Sequence, residues 1–376
     1  MEMLKETYKI PKLPLSYDLE TKAVLKQLSQ SNRWLAELKG MAKTIPNEHI
    51  LVSTLTLQEA RDSSEVKNIV TTQDDLYKAS LDISEIIKSP ATKEVFNYRE
   101  AITLGFERLK QKHILTNNVI KEIQERLEHN RAGFRTVPGT KLEDKDKNII
   151  YIPPQDGELI KSAMDNLEAF INDESLSNLD PLIKMAIIHH QFESIHPFYN
   201  GNGRTGRIIN ILYLVVTGLL DYPILYLSRY ITHHKTEYYQ LIQCIRDKED
   251  DNFAEWEKWV LFMLKGVEET ASEAIVLIGE IGKLMSEYKQ ELRRLFKKLY
   301  RQELLNNLFA HPYTKVGFVE HDLMITNKTA SRYLDKIVKA GLLEKKKLGR
   351  ENYYINTRLL NLFINIGNNS SRQKQG

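Results

Sequence analysis

The chain has 376 residues, enough for two or three domains with a sizeable core, and its 42% hydrophobic and 27% charged content is that of a globular protein. Its 53 basic and 50 acidic residues leave a formal charge of +3, which excludes a molecule that binds nucleic acid over its whole surface and confines any basic patch to one region. The single cysteine, Cys244, excludes an internal disulfide framework and a cysteine-rich metal site, and points to a reducing compartment, with the cytoplasm as the expected location.

The amino-terminal stretch MEMLKETYKIPKLPLS carries charges and prolines where an export signal needs an uninterrupted apolar run, so no export is expected. Between 19 and about 43, the residues Ala23, Val24, Leu28, Trp34, Leu35 and Leu38 recur at helical spacing, with Gly40 as the expected stop. Two further helical stretches follow before residue 77, and Ser63, Ser64, Thr71 and Thr72 are candidate caps. Residues 1–85 thus read as a helical amino-terminal region.

Residues 86–268 hold several helical patterns and one different piece, GFRTVPGTKLEDKDKNIIYIPP. Runs 134–137 and 148–152 look like strands around a Gly-containing charged loop, and Pro153-Pro154 ends the second, so a hairpin is expected. The most apolar stretch, 208–220, is broken by Asn210, Thr217 and Gly218 and falls short of the roughly 20 residues of a membrane span. It reads as a buried core helix, and no membrane partner is expected.

A linker helix over 269–299 becomes strongly basic at RRLFKKLYR. A small unit over 300–365 follows, in which Thr326 or Asn327 caps a helix with Ala330, Tyr333, Leu334, Ile337 and Val338 on one face and Gly341 as its stop. The run GLLEKKKLGRENYYIN after it predicts a β-hairpin, and a helical pair followed by a β-wing is the layout of a winged helix-turn-helix. Eleven Lys or Arg against six Asp or Glu lie between 301 and 365, so Lys328, Arg332, Lys336 and the wing's Lys345, Lys346 and Lys347 are candidate DNA contacts, with a protein partner as the alternative. Residues 366–376 are expected to be a disordered tail.

The chemistry concentrates in DPLIKMAIIHHQFESIHPFYNGNGRTGRIINILYLV, residues 180–215. Asp180 with Pro181 starts a helix, Leu182, Ala186, Ile187 and Phe192 supply its buried face, and Pro197 disfavours helical geometry at His196, where the helix should end. A new helix begins near Arg204. Glycines 201 and 203 let the backbone approach a ligand, and the unpaired N–H groups and partial positive charge of a helix start favour phosphates. Arg204 and Arg207, three apart on one face, add two bidentate phosphate clamps. His196 stands at the rim of that site as a general base, so a hydroxyl attacking phosphorus is the reaction class that the residues suggest.

The run from His196 through Pro197, Phe198, Tyr199, Asn200, Gly201, Asn202, Gly203, Arg204, Thr205 and Gly206 to Arg207 resembles the Fic signature HPFx(D/E)GNGRxxR at every specified position but one. The resemblance implies a mainly α protein: a Fic-fold helical core with a β-hairpin flap, an amino-terminal helical region and a carboxy-terminal winged helix. It implies a protein adenylyltransferase that moves AMP from ATP to a Ser, Thr or Tyr hydroxyl of a target or of itself, with His196 as base. Gly201, Asn202, Gly203 and Gly206 would hold the α- and β-phosphates, Arg204 and Arg207 the phosphate tail, and the hairpin would dock the target segment. The resemblance implies ATP with Mg2+ and a protein target as partners; DNA through the winged helix and a second copy of the chain in a homodimer are further candidate partners. A nucleotide-sensing, DNA-binding transcriptional regulator is the alternative from another class.

Two departures qualify the transfer. Asn200 stands where the family has the acidic residue that binds magnesium; an amide oxygen can ligate the ion but brings no charge. Residues 63–68, SSEVKN, resemble the family's inhibitory (S/T)xxxE(G/N) helix, with Ser63 and Asn68 matching and Lys67 in the glutamate's place. Lys67 cannot form an ion pair with Arg207, and Glu65 lies on another face, so the usual inhibitory contact is not expected. GNGRTG also fits the dinucleotide pattern GxGxxG, but a helix precedes it where that fingerprint requires a strand. His189 and His190 are read as structural, His233 and His234 as a solvated pair, Tyr238 and Tyr239 as core more readily than adenine contacts, and Phe198 as a loop anchor.

Overall fold

The computed structural model describes residues 7–70, 89–144, 146–248, 252–348 and 351–372. The amino-terminal region forms α1 (Lys22–Ala42) and α2 (Glu48–Glu65), followed by α3 (Pro90–Lys112) and α4 (Asn117–Glu128). Strands β1 (Leu142–Glu143) and β2 (Ile149–Tyr151) make a hairpin, and α5 (Gly157–Asn172), α6 (Pro181–Ile195), α7 (Asn202–Val216), α8 (Ser228–His233), α9 (Lys235–Arg246) and α10 (Phe253–Phe296) complete the central body. The carboxy-terminal unit runs α11 (Gln302–Ala310), β3 (Tyr313–Lys315), α12 (Val316–Leu323), α13 (Asn327–Lys339), β4 (Glu344–Leu348), β5 (Glu351–Ile355) and α14 (Thr357–Arg372). The protein is mainly α with small antiparallel sheets, as its patterning predicts.

The Thr21 side chain caps α1 by accepting the N–H of Val24 at 3.2 Å, and Asn47 caps α2 by accepting that of His49 at 3.0 Å. Gly40 does not stop α1. The helix runs past it and closes at Lys43, whose N–H reaches the carbonyls of Gly40 and Met41. Ser63 and Ser64 are not caps that start a helix; they sit in the last turn of α2, and Ser64 Oγ donates back to the Ala60 carbonyl at 2.9 Å. The other two candidate caps, Thr71 and Thr72, lie outside the described residues.

α6 is the centre of the body. Every residue from Leu182 to Ile195 is buried, so the predicted one-sided face is a helix enclosed all round, and α7, buried from Ile208 to Leu214, packs beside it. Trp259 of α10 fixes the back of α6, its Nε1 donating to the Ala186 carbonyl at 2.8 Å. α10 has 44 residues, about 66 Å at 1.5 Å per residue, and α1 lies along it. The boundary expected at 269 therefore falls inside one continuous helix. α2 packs on α3, α7, α8 and α11, touching both the central body and the carboxy-terminal unit.

The hairpin forms, but its first strand is at 142–143, paired antiparallel so that Leu142 faces Tyr151, and not at 134–137. The main chain of 134–137 is already satisfied by the loop after α6: Arg135 N donates to the Pro197 carbonyl at 2.8 Å, and the N–H groups of Thr136 and Val137 reach Tyr199 Oη at 3.1 and 3.2 Å. In the carboxy-terminal unit Thr326 caps α13, Ala330, Tyr333, Leu334 and Ile337 are buried on its predicted face, and Gly341 takes φ +74° just after it. β4 and β5 form the expected hairpin, and β3, not anticipated, adds a third strand in the order β3-β5-β4. α14 carries helical backbone through Arg372 where a disordered tail from 366 is expected; 373–376 lie outside the described residues. No helix among the described residues is long and apolar enough to cross a membrane.

Candidate functional site

The site is the loop between α6 and α7. α6 stops at Ile195 as Pro197 requires, and His196 takes a left-handed conformation, φ 50° and ψ 57°, that turns the chain out of the helix. Arg135 straps this turn: its Nε donates to the His196 carbonyl at 2.8 Å and a terminal nitrogen to that of Ile195 at 3.3 Å. Phe198 is a buried anchor between Phe134 and Phe192. Gly201 has φ +81°, and a Cβ there would lie 2.5 Å from Glu128 Oε1, so any side chain would be strained and would have to displace Glu128. α7 then begins at Asn202, and the N–H groups of its first turn have no helical acceptors.

Arg207, 3% exposed, lies beside Gly203 under this helix start, donating from Nε to Ser63 Oγ at 2.8 Å and from a terminal nitrogen to the Ser63 carbonyl at 3.0 Å. Ser63 is thus brought to the site as its motif predicts. Arg204 is held by two carboxylates, Glu94 at 2.8 Å and Glu128 at 2.5 Å, leaving its buried Nε without a partner. Glu193, one turn before His196 on α6, sits under the start of α7; its Oε1 is buried without a partner. Burial raises the Glu193 carboxyl above its usual range, while Arg207, Arg246 and Lys67 pull it down.

Burial, with Arg246 and Arg135 nearby, pushes the His196 imidazole down to about 3, against a weaker upward pull from the Glu193 main chain. The ring is therefore neutral at physiological pH, and its Nδ1 has no hydrogen-bond partner. Arg246 is itself buried, its Nε donating to Ser194 Oγ at 3.0 Å with the guanidinium 3.9 Å above the Tyr151 ring. A neutral base, a buried guanidinium and an open helix start together form a site that can bind a polyanion and accept a proton beside it.

Three of the expected phosphate contacts have partners within the protein. Asn202 is 2% exposed, and both ends of its amide are taken by the main chain of Phe198, at 2.8 and 2.7 Å, so it staples the loop that presents the amides. Gly206 faces inward: a Cβ there would lie 3.1 Å from Glu193 Oε1 and Phe192, which makes it a packing glycine between α7 and α6. Arg204 is committed to Glu94 and Glu128 and must exchange one of them to clamp a phosphate. Gly203 lies beside Arg207, and Asn200 is exposed, with its carbonyl accepting from Gln124 Nε2 at 3.2 Å.

Arg135, Arg246, Glu128 and Glu94 carry no local signal, because each lies tens of residues from the motif. Glu193 was readable, since a residue three before His196 on a helix shares its face. His189 and His190 are fully buried core residues; His189 bonds Tyr238 Oη at 2.8 Å and Asn210 at 3.0 Å. Tyr238 is therefore core, Tyr239 is half-exposed near Arg207, and His234 leans on Tyr230 at 4.2 Å instead of standing in solvent. Lys67 and Asn68 follow the end of α2; Asn68 has φ 62° and accepts from Lys235 Nζ at 2.9 Å.

Three family models match the chain: the Fic/DOC family N-terminal model over 25–107, the Fic/DOC family model over 114–214, and the C-terminal domain model of SoFic-like protein adenylyltransferases over 284–359. A segment is 32% identical over 93 residues to the protein adenylyltransferase Fic of Drosophila erecta, covering 25% of this chain and 17% of that protein. The chain is also 34% identical over 65 residues to protein adenylyltransferase fic-1 of Caenorhabditis elegans, covering 17% of this chain and 13% of that protein. The matches thus span under a fifth of these relatives' lengths. In fold, the chain is similar to a Fic family protein from Desulfovibrio desulfuricans, with a TM-score of 0.57 at 18% identity over 90% of this chain and 97% of that one. It is also similar to a Fic domain containing signaling protein from Bacteroides thetaiotaomicron, with a TM-score of 0.53 at 16% identity over 65% and 95%.

Proposed function

We propose that this chain, which belongs to the Fic family, transfers the AMP part of ATP to a Ser, Thr or Tyr hydroxyl of a protein. The observation that carries the reading is the neutral, half-buried imidazole of His196 at the rim of a pocket floored by Arg207 and the open first turn of α7. His196 accepts the proton of the incoming hydroxyl; the hydroxyl oxygen bonds to the α-phosphorus as the bond to the bridging oxygen breaks, and pyrophosphate leaves in line. Arg207 and the first-turn amides take up charge on the departing phosphates. A triphosphate beside the imidazole would raise its proton affinity from the depressed value of the free protein toward neutrality, where a general base works best.

Magnesium fits the site as a passenger of the triphosphate. Among the described residues no group of three His, Cys, Asp or Glu can cage a metal, and the exposed Asn200 offers one neutral oxygen. Bound there, the ion would neutralise phosphate charge. The hairpin, with Ile149 and Ile150 exposed on it and Val137 exposed on the segment before it, would receive the target's hydroxyl-bearing segment along its main chain. Lys67 leaves α2 without the carboxylate that would occupy Arg207, so nucleotide access is open, in the cytoplasm as the chain's composition suggests.

The test is covalent labelling with ATP carrying a label on its α-phosphate. His196→Ala should lower incorporation by about 10²–10⁴-fold, and the mass of the wild-type adduct should be that of AMP. Label that persists in His196→Ala removes the histidine from the chemistry. A second reading, DNA contact through the carboxy-terminal unit, has one observation in its favour: Lys328, Arg332 and Lys339 are exposed on α13.

A further inference from the structure

The end of α2 brings a cation to the mouth of the phosphate pocket, and the chain on both sides of it is pinned. Ser63 is joined to Arg207 twice, the Ser64 carbonyl accepts the N–H groups of Lys67 at 3.0 Å and Ile69 at 3.2 Å, and Asn68 is held by Lys235. Lys67 stands one helical turn after Ser63, and Val66 beside it is 1% exposed, so the backbone of the lysine cannot drift from the pocket. Lys67 is exposed, with solvent on part of its stem. Its ammonium nevertheless lies within the fields of Arg204, Arg207, Glu128, Glu193 and His196. It forms no ion pair with a described residue.

We propose that Lys67 is a phosphate-binding residue, reaching from the end of α2 to the outer phosphates of a nucleoside triphosphate whose inner phosphates rest on the first turn of α7. The assignment rests on the reading of that pocket as a triphosphate site. Three cations then face one tail: Arg207 from the floor, Arg204 once it exchanges a carboxylate, and Lys67 from the rim. In the free protein the ammonium is crowded by protein atoms and by the two guanidinium groups, which lowers its proton affinity. A polyanion is the ligand that relieves such crowding. An ammonium is suited to this position because a point charge on a flexible stem follows a mobile terminal phosphate, whereas the fixed fork of Arg207 fits a phosphate held in place.

The prediction is a gradient along the nucleotide. Calorimetric binding of ATP, ADP and AMP, each with Mg2+, to the full chain should show that Lys67→Met weakens ATP about tenfold, the size of one charge-assisted contact. ADP should weaken less, and AMP should not change. Lys67→Arg should restore most of the ATP affinity, and Lys67→Glu should lower it beyond Lys67→Met. Unfolding of the nucleotide-free variants should match wild type, because the side chain is exposed. ATP affinity of Lys67→Met within twofold of wild type overturns the assignment, as does an equal loss for AMP and ATP, which would mean a structural effect. Failure of wild type to bind ATP overturns it too. Wild type that binds ATP but carries no His196-dependent label refutes the transferase reading alone, and Lys67 is then judged by the binding series.

Discussion

Two cationic regions of this molecule are built in opposite ways. Around the loop between α6 and α7, Arg207, Arg135 and Arg246 are 3%, 0% and 6% exposed, and each is held by oxygen atoms of neighbouring elements. On α13 and the β4–β5 hairpin the cations are exposed, and several are spent on intramolecular partners. A buried, oriented guanidinium has lost its water before any ligand arrives and can hold an anion in one geometry. A solvated lysine keeps its water and offers only a screened attraction. The first region should therefore be sensitive to single substitutions and to pH, the second to salt.

The largest effect should come from Arg207→Ala. It removes a preorganised cation from the position where phosphate charge develops and also unties Ser63 and the end of α2. Labelling per unit enzyme should fall by about 10²–10³-fold. Ser63→Ala, which removes only the Oγ contact, separates the two roles: it should keep most of the activity. If both variants lost activity alike, Arg207 would serve as a strap for α2 and not as a phosphate clamp.

Next is acid sensitivity. His189 and His190 are fully buried behind the site; burial pushes His189 down to about 3 and His190 well below its ordinary value. Since the unfolded chain binds protons at its histidines below about 6.5 and the folded chain does not, the stability these residues contribute is complete above that pH and is lost as pH falls toward about 3. Urea unfolding between pH 6 and 4 should lose up to about 2.7 kcal/mol per pH unit from the pair, and His189→Asn should remove about half of that slope. A flat profile would mean that water reaches both rings.

Gly201→Ala is a smaller, local test. The left-handed φ and the approach to Glu128 should cost about 1–3 kcal/mol in thermal unfolding. Displacing Glu128 would also free one side of Arg204, so activity need not fall in proportion. Unchanged stability would show that the loop adopts another conformation in solution.

The contrast between the regions also explains what the sequence made legible. The loop could be read because its determinants are consecutive: Pro197 ends a helix, Gly201 needs positive φ, and Arg207 follows at helical spacing. What could not be read is which expected contacts are internal. Asn202 bonds the backbone four residues away, and Gly206 is forced by Phe192 and Glu193 of the neighbouring helix; both follow from packing, which no local pattern reports. The same limit misplaced the first hairpin strand, since 134–137 has strand-like composition but gives its amides to the Pro197 carbonyl and to Tyr199. It also divided α10, whose long apolar face is covered by α1 and, further along, by helices of the carboxy-terminal unit.

The smallest effect belongs to the exposed region. Composition makes 301–365 basic, but the side chains are not all available: Lys336 Nζ donates to the Leu295 carbonyl at 2.6 Å, Lys345 pairs with Asp335 at 2.8 Å, and Lys346 lies 3.7 Å from Glu344. Among the described residues of this unit, Lys328, Arg332, Lys339 and Lys347 remain with neither an ion pair nor a side-chain hydrogen bond. Four phosphate contacts predict a slope of about −3.6 for the logarithm of the DNA association constant against that of salt concentration. Lys328→Ala and Arg332→Ala should each reduce the slope by about one unit, whereas Lys336→Ala should leave it unchanged. Fluorescence anisotropy on a short duplex, titrated from low to physiological salt, measures this directly. A slope near zero would remove DNA as a partner of α13. A slope that falls equally for Lys336 would mean that the lysine leaves the Leu295 carbonyl to bind DNA, and the line between built and solvated cations would then have to be redrawn at α13 itself.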